Sequence, residues 1–319
     1  MLKNRINTGS IEKAFTKIDP VFLHSPQYIS ESLGALLGVT LVLKIETLNP
    51  IRSFKGRGAD WLVSKVDSGT SLICASAGNF GQAMAYACRK KNIPLSVYAS
   101  TKANPFKVER MRSFRANVIL FGDDFDTAKT EAKRIAGQQG IRFVEDSLDI
   151  ETVEGAGTIA LELLQFPLPL DVLIVPLGNG AMINGICALY KERSPRTKNI
   201  AVQSERASAM VESWRSGTLV SHEEVNTIAD GIAVRVPVPQ ALEDMKGLID
   251  DAILVKEESL VSAMKLLHQH VGIVVEPSGA AGMAALLEQT EKFRGKTVAT
   301  IICGGNLTRE QTKLWLDES

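Results

Sequence analysis

This sequence of 319 residues has no CxxC pair, no histidine cluster and no long apolar run, and each absence removes a class of function. The four cysteines, Cys74, Cys88, Cys187 and Cys303, stand singly along the chain. That spacing supports neither a zinc knuckle nor a disulfide framework, and it fits reduced thiols in a cytoplasmic protein. The histidines are His24, His222, His268 and His270. The last two are two residues apart and point to different sides of a helix, so neither a metal site nor a histidine-based triad is expected. No stretch approaches the ~18 apolar residues of a membrane span. Lys plus Arg number 36 and Asp plus Glu 36, so no basic excess exists to grip a nucleic acid. The opening Met1-Leu2-Lys3-Asn4-Arg5-Ile6-Asn7 lacks the apolar core of a secretory signal. Neither a GxGxxG fingerprint nor the Lys-Ser/Thr of a P-loop is present, which weakens a nucleotide-binding reading.

What the sequence does have is a regular alternation. Short apolar runs, rich in β-branched residues, occur at 40–45, 71–75, 95–99, 117–120, 141–144, 171–175, 199–203 and 296–302. Most are apolar on successive residues, as in strands covered on both faces. Helical patterns lie between them, at 81–91, 127–138 and 257–270 among others. This alternation predicts an α/β fold with mainly parallel sheets. One compact series of units runs from about Ser71 to Val144, and a second from about Asp171 to the C-terminus. The stretch 146–154 between them is acidic and poorly periodic, and reads as a crossover. Helix–strand units continue to Trp315, leaving no room for an appended regulatory module.

Three glycine-rich turns follow predicted strands and open helices, which places them at the carboxyl ends of the strands, where α/β sheets bind ligands. In Val175-Pro176-Leu177-Gly178-Asn179-Gly180-Ala181-Met182, small residues allow close backbone approach, and the helix amides after them suit a phosphomonoester. The alternative is a tight turn with no ligand. In Cys74-Ala75-Ser76-Ala77-Gly78-Asn79-Phe80-Gly81-Gln82, amides and polar side chains at a helix start suit a carboxylate, or merely cap the helix. In Ile302-Cys303-Gly304-Gly305-Asn306 a thiol ends a buried strand, which is also the ordinary fate of a structural cysteine. Lys55, in Arg52-Ser53-Phe54-Lys55-Gly56-Arg57-Gly58-Ala59, lies among small residues at a strand-to-helix junction. It is either a surface lysine or a desolvated amine able to form a Schiff base.

The order of these motifs, with Glu276-Pro277-Ser278-Gly279-Ala280 between the two glycine turns of the C-terminal half, resembles the fold-type II pyridoxal-phosphate enzymes. The resemblance is strongest to the threonine/serine dehydratase and serine racemase branch and spans about Phe22 to Asn306. It implies two three-layer αβα domains of the tryptophan-synthase-β-like kind, with pyridoxal 5'-phosphate in the cleft between them. Residues 1–68 and 147–319 would form the large cofactor domain, and 69–146 a small, mobile substrate domain. Lys55 would hold the cofactor as a Schiff base, and Phe54 would pack beside it. Asn79 would contact the phenolic oxygen of the ring. Gly178, Asn179, Gly180, Ala181 and Met182 would form the phosphate loop. Glu276 would lie near the cofactor edge, and Cys303 would face the pyridine nitrogen. Ser53, Ser76, Ala77, Gly78, Phe80 and Gly81 would contact the substrate.

The resemblance implies a lyase that converts a β-hydroxy amino acid, L-threonine- or L-serine-like, to a 2-oxo acid and ammonia. A racemase or a β-replacement synthase of the same fold is the alternative. Serine racemases carry a proton-bearing serine directly before the Gly-Asn of the second turn; here that residue is Ala77, which favours elimination. Dehydratases usually place histidine after that Gly-Asn; here it is Phe80, which either lines a less polar pocket or packs in its helix. The two positions where relatives hold a divalent cation are Gln203 and Ala209, so no metal is expected there. Arg235 is either a partner for the substrate carboxylate or a solvated surface arginine. A homodimer acting on a small amino acid, with no nucleic-acid or membrane partner, is the expected setting.

Overall fold

The computed structural model describes residues 4–316, so Met1–Lys3 and Asp317–Ser319, which the sequence assigns to the large domain, lie outside the described residues. Its strands are β1 (Gln27–Ile29), β2 (Thr40–Ile45), β3 (Leu72–Ala75), β4 (Leu95–Ala99), β5 (Asn117–Leu120), β6 (Arg142–Val144), β7 (Val172–Pro176), β8 (Lys198–Ser204), β9 (Asp251–Val255) and β10 (Thr297–Ile302). They form a six-stranded sheet, in the order β1-β2-β10-β7-β8-β9, and a four-stranded sheet, β5-β4-β3-β6. Every pairing is parallel except that of β1 with β2. Thus the strands of the smaller sheet are inserted in the chain between β2 and β7.

Residue alternation explains the layers. On β2, Leu41, Leu43 and Ile45 enter one apolar cluster and Val42 the opposite one. On β7, Val172 and Ile174 divide from Leu173 and Val175 in the same way. A strand of period two with apolar residues on both faces requires a helical layer on each side. Helices Glu257–Val271 and Pro277–Glu288 cover one face, and Ile150–Leu163 and Ala181–Arg193 the other. In the smaller sheet, Leu72 and Cys74 of β3 likewise face away from Ile73 and Ala75. No helix of the described residues is long and apolar enough to cross a membrane.

Two readings from the sequence are corrected. The stretch 146–154 is not an irregular crossover throughout, because it runs into the helix Ile150–Leu163, which is buried along most of its length. Its acids are neutralised inside the protein rather than solvated. Glu154 accepts from Trp61 Nε1 at 2.7 Å, and Glu162 accepts from Arg57 Nη1 at 2.6 Å. Its glycines allow close helix contact: a Cβ on Gly155 would lie 2.5 Å from Gly58 Cα. The second correction is the edge strands. The predicted apolar runs omit both edge strands of the larger sheet: β1 is short and half-exposed, and β9 carries its apolar residues, Ala252 to Val255, directly behind an aspartate.

The helix Lys55–Ser64 is fixed by a buried ionic network. Arg57 is 0% exposed. Its Nε and Nη2 donate to Glu46 at 2.8 Å each, and its Nη1 and Nη2 donate to Glu162 at 2.6 and 3.1 Å. Lys44 Nζ completes the network with Glu162 and donates to Ser25 O at 2.8 Å. Burial pulls at the Arg57 charge, but the two carboxylates outweigh it and hold the guanidinium firmly protonated. Replacing Arg57 with Leu would leave Lys44 alone against two buried carboxylates. Removal of one partner of such a set typically costs about 3–5 kcal/mol. Arg57→Leu is therefore expected to lower the urea midpoint markedly, as followed by far-UV circular dichroism; an unchanged midpoint would refute the structural role.

Candidate active site

The carboxyl ends of β2, β3, β6, β7 and β10 converge on one cleft of about 410 Å³, within the range of small-molecule sites. Lys55 opens the helix after β2, and its Nζ reaches the cleft. The ammonium lies 4.6 Å from the centre of the Phe54 ring. It donates to Asp146 Oδ2 at 2.6 Å. Of the two readings of Lys55, the surface lysine is excluded: its side chain is only 18% exposed.

Below Lys55, the turn after β7 builds a cradle. Gly180 has φ +99°, a left-handed conformation that ordinary residues rarely adopt. It bends the chain so that helix Ala181–Arg193 begins at the cleft, where first-turn amides lack carbonyl partners inside the helix. The Ala181 amide donates to Ser147 Oγ at 3.1 Å. Gly178, Asn179, Gly180, Ala181 and Met182 all line the cleft, and Asn179 Oδ1 is buried without a hydrogen-bond partner. A phosphate group fits such a cradle by chemistry: amides and a helix N-terminus favour an anion without a basic cluster.

On the smaller-sheet side, Ser76, Ala77, Gly78 and Phe80 line the cleft at the end of β3. Ser76 Oγ accepts from the amides of Gly78 and Gly81, at 3.2 and 2.9 Å, so it is turned into its own loop. Phe80 belongs both to the cleft wall and to the apolar core beneath it, which joins the two readings of this residue. Ser53 and Gly81, expected at the substrate, are not on the cleft wall. Ser53 is fully buried and bridged through its backbone to Gly304, and Gly81 lies inside the first turn of its helix against Met111 Sδ.

Across the cleft runs a polar chain. Asn79 Nδ2 donates to Glu276 Oε1 at 2.6 Å, and Asn79 Oδ1 accepts from Asn306 Nδ2 at 2.9 Å. Glu276 Oε2 accepts from the Asn306 amide at 3.1 Å. Burial pushes the Glu276 carboxyl up to about 7; nearby Lys107 opposes this and Asp230 adds to it. Burial also pulls Lys107 down, but Asp230 and Glu276 outweigh it and keep the ammonium above its ordinary range. Cys303 Sγ donates to Ser278 O at 3.6 Å, and burial with the Glu276 charge raises this thiol, leaving it neutral.

Reasoning from the sequence missed several wall residues, among them two charged groups and an aromatic ring. Asp146 sits at the end of β6, Lys107 on helix Pro105–Ser113, and Phe125 at the start of helix Phe125–Gln139. An acid directly after an apolar strand was a usable signal for Asp146; Lys107 and Phe125 had none, because long-range packing brings them in. Lys107 pairs with Asp230, which lines the same cleft. Arg235 is corrected on both readings: its Nε donates to Asp126 Oδ2 at 2.6 Å, so it neither faces the cleft nor stands free in solvent.

Residues 23–304 match the family model described as pyridoxal-phosphate dependent enzyme. The chain belongs to this family. Its cofactor is pyridoxal 5'-phosphate, and the cradle, the partly buried lysine amine in the cleft and the neutral thiol fit that group. The chain is 35% identical over 305 residues to an L-threonine ammonia-lyase of Thermotoga maritima, covering 95% of this chain and 76% of the relative. Among solved structures it resembles maize serine racemase, with a TM-score of 0.90 at 27% identity over 99% of this chain and 96% of the other. The processed threonine deaminase isoform 2 of Solanum lycopersicum matches with a TM-score of 0.88 at 27% identity, over 98% of this chain and 95% of the other.

The Glu276 environment carries a pH signature. A carboxyl raised to about 7 in the folded state holds a proton that the unfolded chain, titrating near 4.5, has released. Stability in the cofactor-free protein is therefore lost as pH rises from about 4.5 through 7. Relative to Glu276→Gln, the thermal midpoint of the wild-type apoprotein is expected to fall between pH 5 and 7.5. A constant difference between the two across that window would contradict the assignment.

Proposed function

We propose that this pyridoxal-phosphate enzyme is an ammonia-lyase acting on a β-hydroxy amino acid of the L-threonine or L-serine kind, releasing a 2-oxo acid and ammonia. The carrying observation is the placement of Lys55 Nζ inside the cleft, between the 178–182 cradle and the 76–78 loop. The kinship with an L-threonine ammonia-lyase and a threonine deaminase supports the same reading.

The amides of Gly178 to Met182 hold the cofactor phosphate. Lys55 holds the cofactor aldehyde, with Phe54 packed beside it. Asn79 is oriented by Glu276 and Asn306; its Nδ2 carries two hydrogens, and the Glu276 contact uses one. The neutral Cys303 thiol would face the ring nitrogen without supplying charge. When bound, pyridoxal phosphate supplies an electron sink for the pair left at the substrate Cα. The amides around Ser76, Ala77 and Gly78 receive the substrate carboxylate at the start of helix Asn79–Lys91. The Lys55 amine, once free, takes the Cα proton as general base. The β-hydroxyl leaves as water, and hydrolysis of the released product consumes one water and yields the 2-oxo acid and ammonia.

Residues 69–146 act as the smaller domain in this reading and close over the substrate. Two ion pairs reach from it to the other side of the cleft, Lys107 to Asp230 and Asp126 to Arg235. The enzyme is cytoplasmic and homodimeric in the same reading. Racemisation is the second reading, favoured by the likeness to maize serine racemase. Against it, Ala77 carries no proton, and Ser76 Oγ is occupied by two amides of its own loop.

The purified, cofactor-loaded protein is expected to release a 2-oxo acid from at least one member of a panel of L- and D-β-hydroxy amino acids. Lys55→Ala is expected to lose both that release, to background, and the visible absorption of the bound cofactor. No release from any member would sink the lyase reading, and inversion of the amino acid without 2-oxo acid would install the racemase.

A further inference from the structure

The Lys55 amine has a partner that the reaction above leaves without a task. Asp146 Oδ2 accepts from Lys55 Nζ at 2.6 Å, and Lys55 is its only cationic partner among the described residues. Asp146 Oδ1 is buried and has no hydrogen-bond partner. The carboxyl lines the cleft, so it faces whatever Lys55 acts on.

Its position follows from the sheet. β3 and β6 are parallel neighbours, with Cys74 opposite Val144. Continuing that register two residues past the strand ends sets Asp146 beside Ser76. The next residue, Ser147, has φ +68°, a left-handed turn that a non-glycine residue rarely adopts. Ser147 then reaches the Ala181 amide of the cradle. Asp146 is thereby held between the carboxylate loop, the lysine amine and the cradle. A substrate with its carboxylate on the 76–78 loop and its Cα at Lys55 Nζ turns its Cβ toward this pocket wall.

We propose that Asp146 is the acid that protonates the departing β-hydroxyl, with Lys55 restoring its proton; this rests on the lyase reading. The Cα proton passes to the Lys55 amine, and the electron pair of the broken C–H bond forms the Cα–Cβ double bond. The Cβ–O bond breaks with its pair on oxygen, and the Asp146 proton goes to that oxygen, so that water departs. Lys55 is then an ammonium and Asp146 a carboxylate, which is the ion pair the structure shows. Transfer of one proton across the 2.6 Å contact returns both groups to their starting forms. The Cα proton thus replaces the one that Asp146 gave to the leaving water, and the relay needs no outside acid.

The test compares leaving groups. Chloride departs without a proton and hydroxide does not, so β-chloroalanine bypasses the acid. In Asp146→Asn, turnover of the β-hydroxy amino acid is expected to fall about 10²-fold or more, the usual contribution of a positioned acid. Turnover of β-chloroalanine is expected to stay within a few-fold of wild type. Uptake of pyridoxal phosphate, read by its visible absorbance, stays stoichiometric. The Cα hydrogen of the β-hydroxy substrate continues to exchange with deuterium from solvent, as seen by proton NMR. Asp146→Glu is expected to recover part of the lost turnover, and Asp146→Ser to repeat the split shown by Asn.

Equal losses on both substrates, no loss on either, or failure of the neutral variants to take up the cofactor would each overturn the assignment. A wild-type protein inactive on every β-hydroxy amino acid yet competent on β-chloroalanine would overturn the lyase reading instead, and this inference with it.

Discussion

The first turn of the helix Lys55–Ser64 governs the cleft, and a fully buried guanidinium holds that turn in place. Arg57 ties its own helix to Glu46 at the end of β2 and to Glu162 on the helix Ile150–Leu163. Three segments remote in sequence are locked by one planar, bidentate group, which lysine could not replace in geometry. Taking these charges out of water is costly, and the pairing returns the cost only because nearly every donor is met. The close contact of Gly58 with Gly155 brings the two helices together tightly enough for it. A shift of that helix would carry Lys55 with it, since the amine lies only two residues from Arg57.

Around that anchor the cleft separates two kinds of electrostatics. The cradle at 178–182 uses backbone dipoles and holds no fixed charge. The opposite wall is densely charged: Lys55 with Asp146, Lys107 with Asp230, and Glu276 with amide partners. In the proposed reading an anionic phosphate would meet amides, and the substrate would lie against the charged groups. Glu276 is neutral or charged near physiological pH, so the polar chain through Asn79 and Asn306 is sensitive to a single proton. The Cys303 thiol, held neutral by burial, adds no charge to the cleft at the end of β10.

The sequence makes the interior strands legible because they are buried on both faces, and β2 and β4 fall on the residues where apolar runs predict them. It conceals β1 and β9, whose edge positions relax that requirement. It also conceals the buried helix Ile150–Leu163, whose glutamates look solvated until Trp61 and Arg57 are found opposite them. At the site, glycine turns announce backbone geometry in their own residues, so the cradle and the Ser76 loop could be read directly. Lys107, Phe125 and the Asp146–Lys55 contact arise from segments brought together only in three dimensions. Phe80 shows the same limit, since one ring serves the core and the cleft at once.

The likeness to both a lyase and a racemase in one fold locates the choice of reaction in a few side chains at strand ends. β3 and β6 deliver those side chains side by side. At the end of β3, Ala77 offers no proton, and Ser76 is held by the amides of Gly78 and Gly81. At the end of β6, Asp146 offers a carboxyl in direct contact with the lysine amine. Proton traffic in the cleft is thus concentrated beside Lys55 and absent from the Ala77 position. Inversion needs a second proton carrier across the substrate from the first, whereas elimination is served by an acid near the base. The ends of two neighbouring strands, rather than the shared architecture, carry the distinction.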